Sequence, residues 1–85
     1  MDISRQEQKI LHMLAQGGCI RVEKDDHRRI SKIELFTREG WRFSGLSDEL
    51  FRKLKRRKLI ASKKSAPYRV TRKGLTLVRS QADNR

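Results

Sequence analysis

The chain has 85 residues, of which 35% are hydrophobic and 38% charged, and its formal net charge is +12. A chain of this length builds a small core, so we treat residues 1–85 as one domain and expect no deep catalytic cleft. The charge is uneven: residues 1–42 carry nine Lys or Arg against seven Asp or Glu, and residues 43–85 carry thirteen against three. This asymmetry predicts a basic surface on the C-terminal half, whose partner is a polyanion or an acidic protein.

Cysteine content and hydropathy indicate where the protein works. The single cysteine, Cys19, excludes an internal disulfide framework. The N-terminus lacks the basic and apolar regions of a signal peptide, and no apolar run approaches the length of a membrane span. We therefore expect a cytoplasmic protein with no membrane partner.

The N-terminal half predicts a helix followed by a hairpin. Residues 4–16 have helical periodicity, and Ser4 and Glu7 have the spacing of a capping box. Gly17 and Gly18 end this helix, because glycine adopts the left-handed conformation of a helix C-terminus. The stretches 19–23 and 29–36 alternate between apolar and polar residues, which is typical of a β-hairpin.

A short third strand is predicted over residues 41–43, after a turn that contains Gly40. Trp41 and Phe43 lie on this strand. Aromatic side chains at a surface stack on bases or fill a partner's pocket. In a domain with so few large side chains, we instead expect both to pack in the core.

The C-terminal half begins with a helix from Ser47, which is a favourable N-cap residue. Six of the seven residues in the run 52–58 are basic. Residues 59–61 and 68–70 are predicted strands joined by a polar turn at residues 63–67. The last helix starts near Thr71, and residues 80–85 are expected to fray.

A basic helix followed by a hairpin with lysines at its tip is the local plan of a winged-helix module. We therefore predict a winged-helix-like α+β fold in the order helix, β-hairpin, basic helix, wing hairpin, C-terminal helix. The hairpin over residues 19–36 stands where such modules usually have a second helix. That helix normally braces the recognition helix across the DNA backbone, so its replacement weakens the case for ordinary operator binding.

The candidate binding residues are the basic side chains of this helix and hairpin. They are Arg52, Lys53, Arg56, Arg57, Lys63 and Lys64. Helical spacing predicts that Arg52, Lys53 and Arg56 share an outward stripe with Glu49. The alternative is a solvated charged surface and an ordinary polar turn. We favour binding for the helix, because a run of one sign repels itself unless an anion relieves it.

No catalytic or metal-binding pattern is recognisable. His12, Cys19 and His27 show neither paired cysteines nor the short spacings of a zinc site. The spacing of nucleophilic and basic residues singles out no catalytic set. We therefore expect no cofactor, no metal ion, no small-molecule substrate and no enzymatic activity.

Several stretches together resemble the bacterial YjhX-type proteins, and the resemblance runs the whole chain. They are residues 1–8, 14–18, 37–41, 54–56, 59–60, 67–71 and 83–85. The resemblance implies a toxin of a toxin–antitoxin pair that binds and inhibits DNA topoisomerase I, with an acetyltransferase-like antitoxin as second partner. It implies no site residues.

Two binding functions are compatible with these observations. In the first, the basic residues dock on DNA topoisomerase I or on its DNA complex and exclude DNA. In the second, the chain is a transcription regulator that places the same residues in a groove of double-stranded DNA. The second usually requires a dimer, and no dimerisation stretch is evident.

Overall fold

A computed structural model describes residues 4–64 and 66–83 of the chain. In chain order its elements are α1 (Arg5–Ala15), β1 (Cys19–Lys24), β2 (Ile30–Phe36), β3 (Arg42–Phe43), α2 (Asp48–Arg56), β4 (Ile60–Ala61), β5 (Arg69–Val70) and α3 (Arg72–Asp83). The mixed α+β class, the predicted order and the short third strand are confirmed.

The first helix begins as its capping residues predict. The Glu7 amide donates to the Ser4 hydroxyl at 3.1 Å, and the Ser4 amide donates to the Glu7 carboxylate at 3.0 Å. The helix is followed by Gly17 at a φ of +109°, a conformation that glycine adopts without steric cost. Chain direction then reverses into β1.

Strands β1, β2 and β3 form an antiparallel sheet in that order. The register places Ile20 opposite Leu35 and Leu35 opposite Phe43. Ile20 and Leu35 are both fully buried, so the predicted alternation of inward and outward residues is confirmed. Strands β4 and β5 form a second antiparallel sheet. A single bridge between Ile20 and Tyr68 joins the two sheets.

The core lies between the helices and these sheets. The buried apolar side chains are Ile10, Leu11, Leu14, Ile20, Leu35, Leu50, Phe51, Leu54, Leu59, Ile60 and Val78. The ring of Phe51, which is fully buried, meets the ring of the partly buried Tyr68 edge to face with a centroid separation of 5.1 Å. Helix α2 is therefore fixed on its apolar face, as its predicted spacing requires.

The last helix begins where it was predicted to begin but extends further than expected. Thr71 caps it by accepting from the Gly74 amide at 3.1 Å, but the helix continues to Asp83. The prediction that fraying starts at Ser80 is therefore wrong as far as Asp83, and residues 84–85 lie outside the described part of the chain. Gly74 is unfavourable for helix propensity, yet a Cβ there would lie 2.6 Å from the Leu59 carbonyl oxygen. Close packing of α3 on the segment that leads into β4 thus explains the glycine.

Candidate functional site

Helix α2 carries the predicted basic residues, and both of its ends are fixed by local bonds. The Ser47 hydroxyl accepts from the Leu50 amide at 3.1 Å. At the other end, the Lys58 amide donates to the Lys55 carbonyl at 3.0 Å and the Leu59 amide to the Leu54 carbonyl at 3.0 Å. These two bonds form a Schellman motif. The basic residues are therefore presented by a rigid element.

The residue at the left-handed position of that motif is Lys58, with a φ of +60°. Glycine is the usual residue there, because a Cβ is disfavoured in the left-handed conformation. The chain thus keeps an exposed positive charge at a position where glycine would be more stable.

The inner side of α2 is held by an acid from α1. The Glu7 side chain is 1% exposed, and its two oxygens contact different cations of α2 and its C-cap. Lys53 Nζ lies 3.3 Å from Oε1, and an Arg57 guanidinium nitrogen lies 3.0 Å from Oε2. Glu7 therefore caps its own helix and anchors the basic helix.

The electrostatics of Glu7 keep it ionised. Burial raises the pKa of the Glu7 carboxyl. Hydrogen bonds from the backbone and side chain of Ser4 and from Lys53 lower this pKa by more than burial raises it, so the pKa of Glu7 lies below its usual value. The buried charge is thus matched by two cations, and none of the buried side-chain polar atoms in the described residues lacks a hydrogen-bond partner.

The four predicted helix residues do not share one environment. Arg52 and Arg56 are exposed, as the stripe requires, and Arg52 pairs with Asp48 at 3.0 Å. Lys53 has a half-exposed side chain, but its ammonium turns towards Glu7. Arg57 is largely buried against the same carboxylate, with 18% of its side chain exposed. The predicted outward stripe is therefore only partly present.

The hairpin lysines lie apart from this cluster. Lys63 and Lys64 are exposed in the turn between β4 and β5. The turn is closed by a bond from the Ala66 amide to the Lys63 carbonyl at 2.9 Å. Within residues 4–64 and 66–83, no hydrogen bond or ion pair links these two lysines to α2. Their role in binding stays a prediction.

The structure adds two exposed cations that the predicted set omits, Lys55 and Lys58. Lys55 Nζ lies 5.9 Å from the centroid of the Tyr68 ring. We call the four exposed cations of α2 and its C-terminal turn that do not contact Glu7 the basic face. They are Arg52, Lys55, Arg56 and Lys58. The basic run of the sequence contains all four, but only the position of Glu7 separates them from Lys53 and Arg57.

Trp41 is a second exposed feature, and the prediction that it packs in the core is wrong. Its residue is 75% exposed, whereas Phe43 is half-buried against the core. The Thr37 amide donates to the Trp41 carbonyl at 2.8 Å, and the Trp41 amide donates to the Thr37 hydroxyl at 3.1 Å. With Gly40 at a φ of +94°, these bonds close a turn that carries the indole beyond the core.

Over residues 4–64 and 66–83, no three His, Cys, Asp or Glu side chains are grouped to hold a metal ion. Within the same ranges, no helix has the length and apolar character to cross a membrane. Cys19 is a free, partly buried thiol.

Comparison with known proteins identifies relatives over the full length. Residues 1–85 match a family described as "putative toxin of bacterial toxin-antitoxin pair". A UPF0386 protein of Chelativorans sp. (strain BNC1) is 64% identical over 85 residues, with 100% of both chains covered. A second, of Rhizobium etli (strain CIAT 652), is 58% identical with the same coverage, and one of Hyphomonas neptunium is 57% identical over 99% of each chain. No solved structure matches the chain significantly.

Proposed function

The chain belongs to the YjhX toxin family of bacterial toxin–antitoxin pairs, and on that premise we propose that it inhibits DNA topoisomerase I by binding alone. The basic face docks on an acidic surface of the enzyme, or on the enzyme–DNA complex, and keeps DNA from the active centre. No bond is made or broken in this mechanism. The topoisomerase target comes from the family resemblance, and the antitoxin is the second partner that the family implies.

The observation that carries this proposal is the separation of charges on α2. Glu7 neutralises the inner cations Lys53 and Arg57 at 3.3 and 3.0 Å. The basic face therefore remains as an exposed, predominantly positive cluster on the outside of a capped helix, in which Arg52 also pairs with Asp48 at 3.0 Å. A clustered, exposed charge of one sign increases the rate of encounter with an oppositely charged partner and determines its orientation.

The first turn of α2 favours a protein partner over direct reading of DNA bases. A recognition helix usually contacts base edges with its N-terminal residues. Here those residues include Asp48 and Glu49, both exposed, whose charge repels phosphates. The basic residues lie towards the C-terminal end of the helix instead. An acidic protein surface, or a protein–DNA complex approached from the side, suits this distribution better.

The proposal retains the winged-helix-like plan. Helix α2 is followed directly by the β4–β5 hairpin, with Lys63 and Lys64 at its turn. In the alternative function, a double-stranded DNA-binding regulator, this hairpin would contact phosphates while α2 enters a groove. The order of elements supports both functions, and the acidic first turn of α2 favours the first.

The deciding experiment measures relaxation of supercoiled DNA by purified DNA topoisomerase I in the presence of the protein. A triple variant, Arg52→Glu, Lys55→Glu and Arg56→Glu, reverses three charges of the basic face. We expect its inhibition to weaken roughly tenfold or more, because close charge pairs at interfaces dominate such binding. The matched control is Arg5→Glu, Arg28→Glu and Arg29→Glu, which changes the net charge equally at exposed positions outside α2.

A parallel titration with duplex DNA across a salt series separates the two functions. If the protein is a transcription regulator, it should bind DNA tightly and prefer certain sites. The logarithm of its association constant should then fall with the logarithm of the salt concentration by roughly 0.9 per phosphate contact. Equal inhibition by both triple variants would refute the role of the basic face. Absence of inhibition by the wild-type protein, with site-selective DNA binding, would establish the regulator instead.

A further inference from the structure

A cleft opens between the two sheets and shares no residue with the basic face, although Lys55 of that face lies 5.9 Å from the ring of Tyr68, which lines the cleft. It has a volume of about 640 Å³ and is lined on one side by residues 21–24 of β1 and on the other by Ser62 and residues 66–68. Glu34 of β2 completes the lining. We call it the edge cleft. None of its lining residues belongs to α2, so a role for the edge cleft is independent of the proposed function.

The backbone of β1 is unpaired along this cleft. On the edge of β1 that faces away from β2, both backbone groups of Ile20 are bonded. Its amide donates to the Tyr68 carbonyl at 2.9 Å, and its carbonyl accepts from the Tyr68 amide at 2.7 Å. Along an antiparallel strand the bonding direction alternates, so the amide and carbonyl of Val22 point to the same edge as those of Ile20. Within the described residues, Val22 has no backbone partner on that side.

The opposite wall cannot supply the missing bonds, because its backbone is already engaged. The Ala66 amide donates to the Lys63 carbonyl at 2.9 Å, and the Ala66 carbonyl accepts from the Ser62 hydroxyl at 2.5 Å. Tyr68 is fixed by its edge-on contact with Phe51 in the core. The two sheets are therefore joined by one bridge and leave the edge cleft between them.

Unpaired strand edges bind extended peptides, whose backbone adds a strand while alternate side chains enter the flanking space. The charges along the cleft select the chemistry of such a peptide. Glu34 is already compensated by Lys32 at 3.7 Å and Arg42 at 3.2 Å. Arg21 and Lys24 then outnumber Glu23, and the chain as a whole carries +12. An acidic peptide is favoured over a basic one.

From these contacts we propose that the edge cleft binds an extended acidic segment of a partner protein, which pairs with β1 at Val22 and joins the two sheets. The lining of the edge cleft shares no residue with the basic face, so the two surfaces can engage different partners, or different parts of one partner.

The test uses the full chain labelled with ¹⁵N and a short synthetic peptide of alternating glutamate and threonine as the probe. We expect the amide signals of Val22 and of residues 66 and 68 to shift on titration, while those of α2 stay in place. The same peptide with lysine in place of glutamate should bind roughly tenfold more weakly or not at all.

Two substitutions locate the binding site. Val22→Pro removes the outward amide, and Val22→Thr is its matched control, because it keeps the amide and the β-branched shape. Loss of one backbone bond and the steric change should weaken binding roughly tenfold in the proline variant alone. Ala66→Trp fills the cleft from an exposed position and should have the same effect even if the proline variant does not fold.

Several results would overturn the proposal. Shifts confined to the amides of α2 would mean that the peptide binds only the charge of the basic face. Equal binding of the lysine peptide, or unaltered binding by Ala66→Trp, would exclude strand addition in the cleft. A concentration-dependent dimer in sedimentation that Val22→Pro abolishes would assign the edge to a second copy of the chain. Failure of the acidic peptide to bind would refute the proposal outright and leave the topoisomerase test unaffected.

Discussion

The carboxylate of Glu7 lies 3.0 Å from the guanidinium of Arg57, fifty positions later in the chain. This contact joins the first turn of α1 to the C-cap of α2. It decides which cations of the basic run support the fold and which remain available to a partner. Substitutions on the two sides of that division should therefore have different effects.

Glu7→Gln should lower the free energy of unfolding. The amide keeps the shape of the side chain but removes the charge that two cations share, at a cost of about 1–3 kcal/mol. Denaturant titration at neutral pH measures this loss. Gln8→Ala, one position along α1, is the control and should stay within about 0.5 kcal/mol of wild type.

The same residue should make stability depend on pH. The pKa of Glu7 in the folded chain lies below the ordinary value of 4.5, so the unfolded chain binds this proton more readily. The contribution is therefore present above pH 4.5 and is lost as pH falls towards the folded pKa. Glu7→Gln should flatten this part of the stability profile, and an unchanged profile would contradict the assigned anchor role.

Arg57→Ala and Arg56→Ala should have opposite consequences, although the residues are adjacent. Arg57 is largely buried on Glu7, so its removal should cost about 1–3 kcal/mol of stability. Arg56 is exposed, so its removal should change stability by less than about 0.5 kcal/mol and weaken partner binding instead. Thermal unfolding and the topoisomerase assay distinguish the two. Equal stability losses would show that the division of charges is wrong.

Lys58→Gly should stabilise the fold and weaken binding. Glycine relieves the left-handed conformation at a φ of +60°, which should raise the free energy of unfolding by about 0.5–1 kcal/mol. The substitution also removes one charge of the basic face. Lys58→Asn is a useful comparison, because asparagine tolerates this conformation and lacks the charge. Denaturant titration and the topoisomerase assay measure the two effects, and a glycine variant that binds as well as wild type would remove Lys58 from the basic face.

Gly74→Ala should destabilise the protein, although the helix propensities of the two residues alone would predict that it stabilises the protein. Alanine is favoured by about 1 kcal/mol in a helix interior. Here its Cβ would lie 2.6 Å from the Leu59 carbonyl oxygen and from Val70 Cγ2, and forced overpacking costs about 1–3 kcal/mol. Chemical denaturation should therefore show a net loss. Thr76→Ala, exposed on the same helix, is the control, and a more stable Gly74→Ala variant would contradict the close packing of α3.

The sequence by itself determined the local structure. Caps at Ser4, Ser47 and Thr71 mark helix starts through bonds to amides three positions away, and strand alternation follows from the two-residue period of the pleat. The family and the concentration of charge around α2 were also readable, because neither depends on how the elements pack.

Only the tertiary structure decided how the charges are used. Glu7 reads as a capping residue, and nothing near it in sequence indicates that Lys53 and Arg57 will reach it. The same holds for the exposure of Trp41, for the close approach behind Gly74, and for the unpaired edge of Val22. Each depends on where a segment that is distant in the sequence passes in the folded chain. Local periodicity carries no information about the position of such a segment.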